Sequence, residues 1–194
     1  MNTFENLYSR KSIRCFNGDP ITDEQLNEIL KAAYAAPVGH AKYDSLALTV
    51  IRNKDYLARW EAHMAAVVGQ PGLHPFYGAP TVILVSSLIP DSSLKMCNVN
   101  FSNAAGVVQN MALAATELGV GACHIWGAVR ALDSALIEEM NLPEGMVPCC
   151  ALALGQMDEV YTLREIPENR IKTAYMDLLK ACAGGLSWAR IRYL

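Results

Sequence analysis

Two arginines and a serine alternate near the start of the chain, in the sequence Arg10-Lys-Ser-Ile-Arg14. In an extended segment, alternate side chains point to the same side, so Arg10, Ser12 and Arg14 would form one row. Guanidinium groups bind phosphate oxygens in a bidentate manner, and a hydroxyl adds a further hydrogen bond. On spacing alone, the row is either a phosphate-binding site or a solvated basic patch, and a solvated patch is the more common outcome.

The histidine, cysteine and serine spacings argue against a metal site and a hydrolytic site. The four histidines form no H-E-x-x-H or paired-cysteine pattern, so we predict no metal site. His124 lies in a strand-like run, which is typical of a packed core histidine. The adjacent Cys149 and Cys150 are most simply core residues, because neighbouring strand residues point to opposite faces. The sequence Gly185-Leu-Ser-Trp-Ala189 is one residue short of a nucleophile elbow and has no histidine after it.

The composition describes a folded protein without a polyanionic partner. Of the 194 residues, 52% are apolar and 18% are charged, and the net charge of −3 gives no reason to expect nucleic acid or a membrane surface as a partner. Residues 1–20 contain no apolar segment typical of a secretory signal, and no apolar run is long enough to span a bilayer. The six cysteines show no C-x-x-C motif, and we interpret them as reduced thiols of a cytoplasmic protein.

Apolar periodicity predicts helices and strands that are mixed along the chain. A helix begins after Thr22, which can form a capping box with Gln25, and Pro37 ends it. A broad apolar face over residues 104–118 predicts a central helix that stops at Gly119. The other predicted elements are strands at 46–51, 81–85, 122–126 and 149–154, and helices at 54–68, 133–140 and 173–182. No repeat or linker interrupts them, so we predict one α+β domain over residues 1–194.

Taken in order, several segments resemble the FMN-dependent nitroreductase family, from Leu7 to about Tyr175. Residues 10–14, followed by Phe16 and Pro20, resemble the opening motif of this family, which binds the flavin phosphate and ribityl oxygens. The other matching segments are 32–37, 103–121, 125–127 and 148–155, together with the basic pair Arg170 and Lys172. No single segment is specific for this family, whereas the set of segments in this order is.

The resemblance implies a fold and an assembly. The expected fold is a nitroreductase-like three-layer α/β/α sandwich with a mixed, mainly antiparallel central sheet and a long central helix. The expected assembly is a homodimer that binds FMN at its interface, in which the tail after about residue 184 is a candidate exchanged arm.

The resemblance also implies the cofactor-binding residues. They are Arg10, Lys11, Ser12, Arg14, Pro37, Val38, Gly39, Tyr43, Asn103, Ile125, Trp126, Gly127, Arg170 and Lys172. The cations would neutralise the FMN phosphate, and the N–H of Gly127 could bind flavin N5, since glycine allows a close approach. Two alternatives stay open: Trp126 is equally consistent with core packing, and Asn103 with a helix N-cap.

The loop at 37–45 departs from the family pattern. Many family members carry Pro-Ser-x-x-Asn-x-Gln-Pro-Trp here, whereas this chain has Val38, Ala41 and Tyr43 at the serine, asparagine and glutamine positions. Some flavin contacts must then come from the backbone or from other side chains. Trp126 also stands where some members have glutamate, so the electron acceptor cannot be carried over.

The resulting functional hypothesis is an FMN-dependent NAD(P)H oxidoreductase. A hydride would pass from NADH or NADPH to the flavin, and then electrons would pass to a nitroaromatic, a quinone or a similar small molecule, in a ping-pong order. No side chain is an obvious catalytic acid, so we assign no catalytic residue. The altered loop keeps a second hypothesis open, a non-catalytic flavin-binding protein for storage or sensing. A third is a hydrolase or another enzyme without flavin.

Overall fold

The fold is arranged around a four-stranded sheet, as seen in a computed structural model that describes residues 1–88, 94–167, 170–176 and 191–193. The strands are β1 (Leu46–Ile51), β2 (Thr81–Leu88), β3 (Gly121–Ile125) and β4 (Met146–Gly155), in the order β1-β2-β4-β3. All three pairings in this sheet are antiparallel, so the expected mixed character is not seen in it. The reason is the position of β4, which lies between β2 and β3 and runs against both.

Six α-helices occur among the described residues. They are α1 (Thr3–Ser9), α2 (Asp23–Tyr34), α3 (Lys54–Val68), α4 (Leu94–Glu117), α5 (Gly127–Arg130) and α6 (Ser134–Glu139). Two single 3₁₀ turns, Gly39–Ala41 and Tyr43–Ser45, lie between α2 and β1. The central helix begins ten residues before the predicted start, at Leu94 rather than Ala104. None of the described helices is long and apolar enough to cross a membrane.

Helices cover both faces of the sheet. On one face, Ile83 and Leu152 pack against α2 and α4, which contribute Ile29 and Met111. On the other face, residues such as Leu84 pack with α3, α5 and α6 around a second core. The inner strands β2 and β4 therefore bury both of their sides over most of their length, which explains their nearly continuous apolar runs. This is the predicted three-layer α/β/α sandwich.

Local signals set several of the helix ends. The hydroxyl of Thr22 accepts a hydrogen bond from the backbone N–H of Gln25, whose side chain accepts one in return from the N–H of Thr22. This is the predicted capping box. The carboxylate of Asp133 caps α6 in a similar way, through the N–H of Leu136. Gly119 follows α4 with φ +70°, a conformation that glycine adopts without strain.

The chain forms two compact units, Met1–Thr162 and Leu163–Leu194. The predicted single domain over 1–194 therefore stays a prediction. In the second unit, strands β5 (Ala174–Met176) and β6 (Ile191–Tyr193) form an antiparallel pair. The predicted helix from Thr173 to Cys182 is thus wrong over its described part, because a partner strand from later in the chain pairs with this short segment. The rest of that helix, and most of the candidate exchanged arm, lie outside the described residues.

Candidate functional site

The row Arg10–Ser12–Arg14 lies along the edge of the sheet formed by β3. The backbone N–H of Ile13 donates a hydrogen bond to the carbonyl of Ala122 at 2.9 Å, and the Ile13 side chain is buried. The side chain of Ser12 lies close enough to the thiol of Cys123 to lower its pKa. The segment therefore continues the sheet for one bond, and this bond fixes the row beside the strand.

The two arginines of the row influence the pKa values of side chains on β3. Burial raises the pKa of the Cys123 thiol, and the charges of Arg14 and Arg10 oppose that rise. Desolvation lowers the pKa of His124, and the charge of Arg10 lowers it further. Both arginines therefore lie close enough to the strand to bring two positive charges to this edge.

His124 is a correction to the sequence analysis, which favoured a packed core histidine. The residue lies at the surface of β3, next to Arg10. The physical reason is that β3 is the edge strand of the sheet, so a side chain on it can point past the covering helix. By contrast, Cys149 and Cys150 on the inner strand β4 are both buried, as predicted.

Lys11 and Arg14 of the opening segment each contact another part of the chain. Lys11 forms an ion pair with Glu159, so its charge is partly neutralised by the chain that follows β4. The guanidinium of Arg14 lies 5.9 Å from the centre of the Tyr77 ring, within the range of a cation–π contact. Of these two cations, Arg14 is better placed than Lys11 to bind the same anion as Arg10.

The end of β3 opens into a cavity. Ile125 is buried, whereas Trp126 is 47% exposed and packs edge to face on Phe101 of α4, with ring centres 5.7 Å apart. The open alternative of core packing for Trp126 is therefore wrong. A cavity of about 340 Å³, here called the Trp126 cavity, lies beside it; its lining residues are Met64, Val67, Val68, Trp126, Gly127, Arg130 and Ala131.

Asn103 joins the predicted loop at 37–45 to the central helix. Its side-chain oxygen accepts a hydrogen bond from the backbone N–H of Gly39 at 3.1 Å, and the residue is only 9% exposed. Asn103 lies inside α4, so the alternative role as a helix N-cap is wrong. In the same loop, the hydroxyl of Tyr43 donates to the carbonyl of Ala36 at 3.3 Å. His40 and Ala41 both have positive φ, which L-residues rarely adopt, so tertiary contacts hold the loop in this shape.

The predicted residues of the first unit form two sets. The first set, at the β3 edge, contains Arg10, Lys11, Ser12, Arg14, Ile125, Trp126 and Gly127. The second set, next to β1, contains Pro37, Val38, Gly39, Tyr43 and Asn103. Val38 and Tyr43 line a cavity of about 400 Å³ together with Leu46 and Leu48 of β1.

The two sets lie at opposite edges of the sheet. β1 and β3 are its outer strands, separated by three strand spacings, or roughly 14 Å. Gly39 and Trp126 contact α4 through Asn103 and Phe101, which lie about 200° apart around the helix axis. The central helix therefore separates the two sets within one chain.

Arg170 and Lys172 belong to the second unit and are both exposed there. Their predicted contact with the same phosphate stays a prediction.

Sequence reasoning missed three residues of the first site, namely Tyr77, His124 and Tyr161. The Tyr161 hydroxyl donates to the carbonyl of Val120 at 2.9 Å, which holds the chain after β4 against the start of β3. Burial raises the pKa of Tyr161, and the nearby charge of Arg10 opposes that rise. No motif marked these residues, since each reaches the site through tertiary packing rather than through a sequence pattern.

A family comparison gives this site its context. The model of the nitroreductase family matches residues 7–156, which contain both sets. The chain belongs to the nitroreductase family. The match includes the opening row, the loop at 37–45, the central helix and the end of β3.

Several curated relatives of this nitroreductase-family chain are named as flavin reductases. The chain is 26% identical over 165 residues to the FMN reductase (NADPH) of Bacillus subtilis (strain 168), and the match covers 79% of this chain and 65% of the relative. It is 27% identical over 169 residues to the NADPH-flavin oxidoreductase of Vibrio harveyi, and this match covers 81% of this chain and 67% of the relative. The matched region thus spans about two thirds of the length of these relatives.

Solved structures agree with the nitroreductase fold. A nitroreductase with bound FMN from Desulfitobacterium hafniense DCB-2 has a TM-score of 0.75 and 26% identity, and the match covers 88% of this chain and 97% of that one. The FMN-bound nitroreductase from Bacteroides fragilis NCTC 9343 has a TM-score of 0.74 and 24% identity, with the same coverage. The predicted fold is therefore confirmed.

Proposed function

We propose that this protein is an FMN-dependent NAD(P)H oxidoreductase that reduces a nitroaromatic, a quinone or a similar small molecule. The observation that carries the proposal is the row of Arg10, Ser12 and Arg14 along β3, whose far end opens at Gly127 into an apolar cavity. Family membership supports it, as do the flavin reductases among the relatives and the FMN bound in two similar structures.

The donors of the first set fit the two ends of FMN. A phosphate monoester carries a charge between about −1.5 and −2 at neutral pH, which two guanidinium groups would neutralise. Arg10 and Arg14 would hold the phosphate, and Ser12 would bond the phosphate or the ribityl chain. At the other end, the flat ring would lie on the β3 side of Gly127, where the glycine leaves its backbone N–H accessible to a ring nitrogen, and the Trp126 cavity beyond Gly127 would stay open.

The chemistry that FMN supplies when bound is acceptance of a hydride from NAD(P)H and donation of electrons to an acceptor. The role of the chain is to bind FMN and to orient the reductant and the acceptor beside it. The Trp126 cavity would admit the reductant and the acceptor in turn, since both need the same exposed ring face. This sharing is the basis for the proposed ping-pong order. No described side chain is assigned as a proton donor.

The proposal includes a homodimer in which each FMN contacts two subunits. Within one chain the two sets of predicted residues lie at opposite edges of the sheet, too far apart to surround one ring. A second copy could bring its loop at 37–45 to the first set. Exposed aromatic residues near that loop, Tyr34 and Tyr43, would then be covered by the partner.

The first experiment is the visible absorbance spectrum of the purified protein, before and after reconstitution with FMN. We expect a flavin spectrum that NADH or NADPH bleaches, and steady-state oxidation of the reductant when a nitro compound or a quinone is added. Flavin reduction without acceptor turnover would instead favour the storage or sensing hypothesis. A colourless protein that takes up no FMN would overturn the proposal.

A second experiment tests the assembly. Sedimentation of the FMN-loaded protein should give a dimer with one FMN per chain. A monomer that binds FMN with full affinity would contradict the shared site.

A further inference from the structure

The Trp126 cavity has the dimensions of a small-molecule site. It lies between the last turn of α3 and the start of α5, and its volume of about 340 Å³ is within the range of ligand pockets. A Cβ atom added at Gly127 would lie 3.6 Å from the terminal methyl of Met64, so any larger side chain at this position would fill part of the space. The absence of a side chain at Gly127 keeps the cavity open.

The walls of the cavity are apolar and exposed. Val67 is 59% exposed and Val68 is 41% exposed, and the half-exposed indole of Trp126 lies beside them. Isolated exposed apolar residues are ordinary, but a group of them around a concavity marks a binding surface. The edge-to-face contact with Phe101 fixes the indole, so this wall is flat and held in place.

One cation stands at the rim of these walls. Arg130 follows Gly127 by three residues on α5, which places the two on the same side of the helix. The lining of the cavity contains no carboxylate. Within the part of the chain that the structure describes, no acidic side chain forms an ion pair with Arg130. The guanidinium is therefore available to an anion that enters from solvent.

We propose that the Trp126 cavity selects aromatic electron acceptors that carry a carboxylate, with the ring against Trp126 and Val67 and the carboxylate on Arg130. This proposal rests on the proposed function, because it names the acceptor class of the same site. The pyridine dinucleotide is the other anionic molecule that the site must meet. The test must therefore separate the acceptor from the reductant.

The test compares two probes of equal size and different charge, 4-nitrobenzoate and 4-nitrobenzamide. Their affinities for the oxidised, FMN-loaded protein are measured by calorimetry without reductant, so that no turnover takes place. The variants are Arg130→Gln, which removes the charge, Arg130→Lys, which keeps it, and Arg52→Gln, a matched control at an exposed arginine paired with Asp23 away from the cavity. The KM for NADPH and for NADH is measured on the same samples.

We expect the wild-type protein to bind 4-nitrobenzoate about fivefold more tightly than 4-nitrobenzamide, a ratio at the upper end of the range for an ion pair with an exposed cation. Arg130→Gln should abolish this preference by weakening the carboxylate alone, Arg130→Lys should retain part of it, and Arg52→Gln should leave it unchanged. Equal affinities in the wild-type protein, or an equal effect of Arg52→Gln, would overturn the proposal. A change confined to the KM of the dinucleotide would also overturn it. Failure to take up FMN is a separate result, which would remove the proposed function itself.

Discussion

The backbone N–H of Ile13 donates to the carbonyl of Ala122, and this single bond fixes the basic row of the opening segment against the edge strand β3. The two residues are 109 positions apart, so neither local spacing nor composition specifies their contact. Because side chains alternate along an extended backbone, the bond at Ile13 also sets the directions of Ser12 and Arg14 on either side of it.

Arg10→Ala should weaken FMN binding by at least about tenfold, since a charge-assisted bond to phosphate contributes roughly 1.5–3 kcal/mol. Arg59→Ala is the matched control, because Arg59 lies on the surface of α3 in an ion pair with Glu139. Its FMN affinity should stay within about twofold of wild type. The measurement is a flavin fluorescence titration of both variants. Equal affinities in the two would remove Arg10 from the phosphate site.

Gly121→Ala should destabilise the protein and weaken FMN binding together. A Cβ at this position would lie 2.9 Å from the ring of Phe16 and 3.2 Å from the side chain of Ile13, so it would push the opening segment away from β3. Overpacking of this kind costs about 1–3 kcal/mol. Urea unfolding and an FMN titration report the two effects.

The control for that substitution is Gly106→Ala on α4, where the nearest atom to the new Cβ would be 4.0 Å away. We expect this change to leave FMN affinity unaltered and to stabilise the helix by up to about 1 kcal/mol. If Gly121→Ala behaves like the control, the close packing of the row on β3 is not needed for binding.

Asn103→Ala should loosen the loop at 37–45. Its side-chain oxygen is the acceptor for the N–H of Gly39, and a partly buried donor left without a partner should cost no more than about 1 kcal/mol, the low end of the range for buried groups. We expect faster hydrogen exchange at the Gly39 amide and a lower urea midpoint. Gln109→Ala, at an exposed position of the same helix, should change neither quantity. Unaltered exchange at Gly39 in the Asn103 variant would contradict the assigned contact.

Buried thiols should make the protein sensitive to alkali. Burial raises the pKa of Cys149 to about 11 and that of Cys150 to about 12, from an ordinary value of 9.0. Below pH 9.0 these thiols are protonated in both states, so their contribution to stability is fully present. As pH rises from 9.0 towards 11, the unfolded chain loses protons that the folded chain keeps, and stability falls by up to about 1.4 kcal/mol per pH unit for each thiol.

The measurement is the free energy of unfolding in urea across that pH range, with a reductant present. The double variant Cys149→Ala/Cys150→Ala should be less stable near neutral pH, because it loses core packing, but its stability should fall less steeply with pH. Cys15→Ala, at an exposed thiol, should keep the wild-type slope. Parallel curves for the wild type and the double variant would show that these thiols do not control the alkaline transition.

Local signals explain which elements could be predicted. The strand predicted at 46–51 has its observed bounds, and the helix predicted from Tyr56 to Val68 begins two residues earlier, at Lys54, since each has a consistent apolar period between clear breaks. Helix α1 was missed, although the capping box of Asn2 and Glu5 marks its start. Its exposed aromatic residues, Phe4 and Tyr8, gave no apolar stripe that would indicate a buried helix.

Tertiary contacts explain what could not be predicted. The surface position of His124 depends on β3 being an edge strand, and the strand order of a sheet is not encoded in any one segment. The role of Asn103 depends on a loop 64 residues earlier in the chain. Strand β5 exists because a later segment pairs with it, and so a short run with mixed propensities was assigned to a helix.

The contacts of α4 with Trp126 and with Gly39 restrict how this chain can evolve. Phe101 and Asn103 project from opposite sides of α4. Inserting or deleting a single residue between Asn103 and the core position Val107 would therefore rotate both side chains by about 100° around the helix axis relative to the core. The wall of one cavity and the anchor of the distant loop would be lost in the same event. Changes of length in this part of the helix should therefore be excluded from functional descendants, while substitutions at either contact can accumulate one at a time.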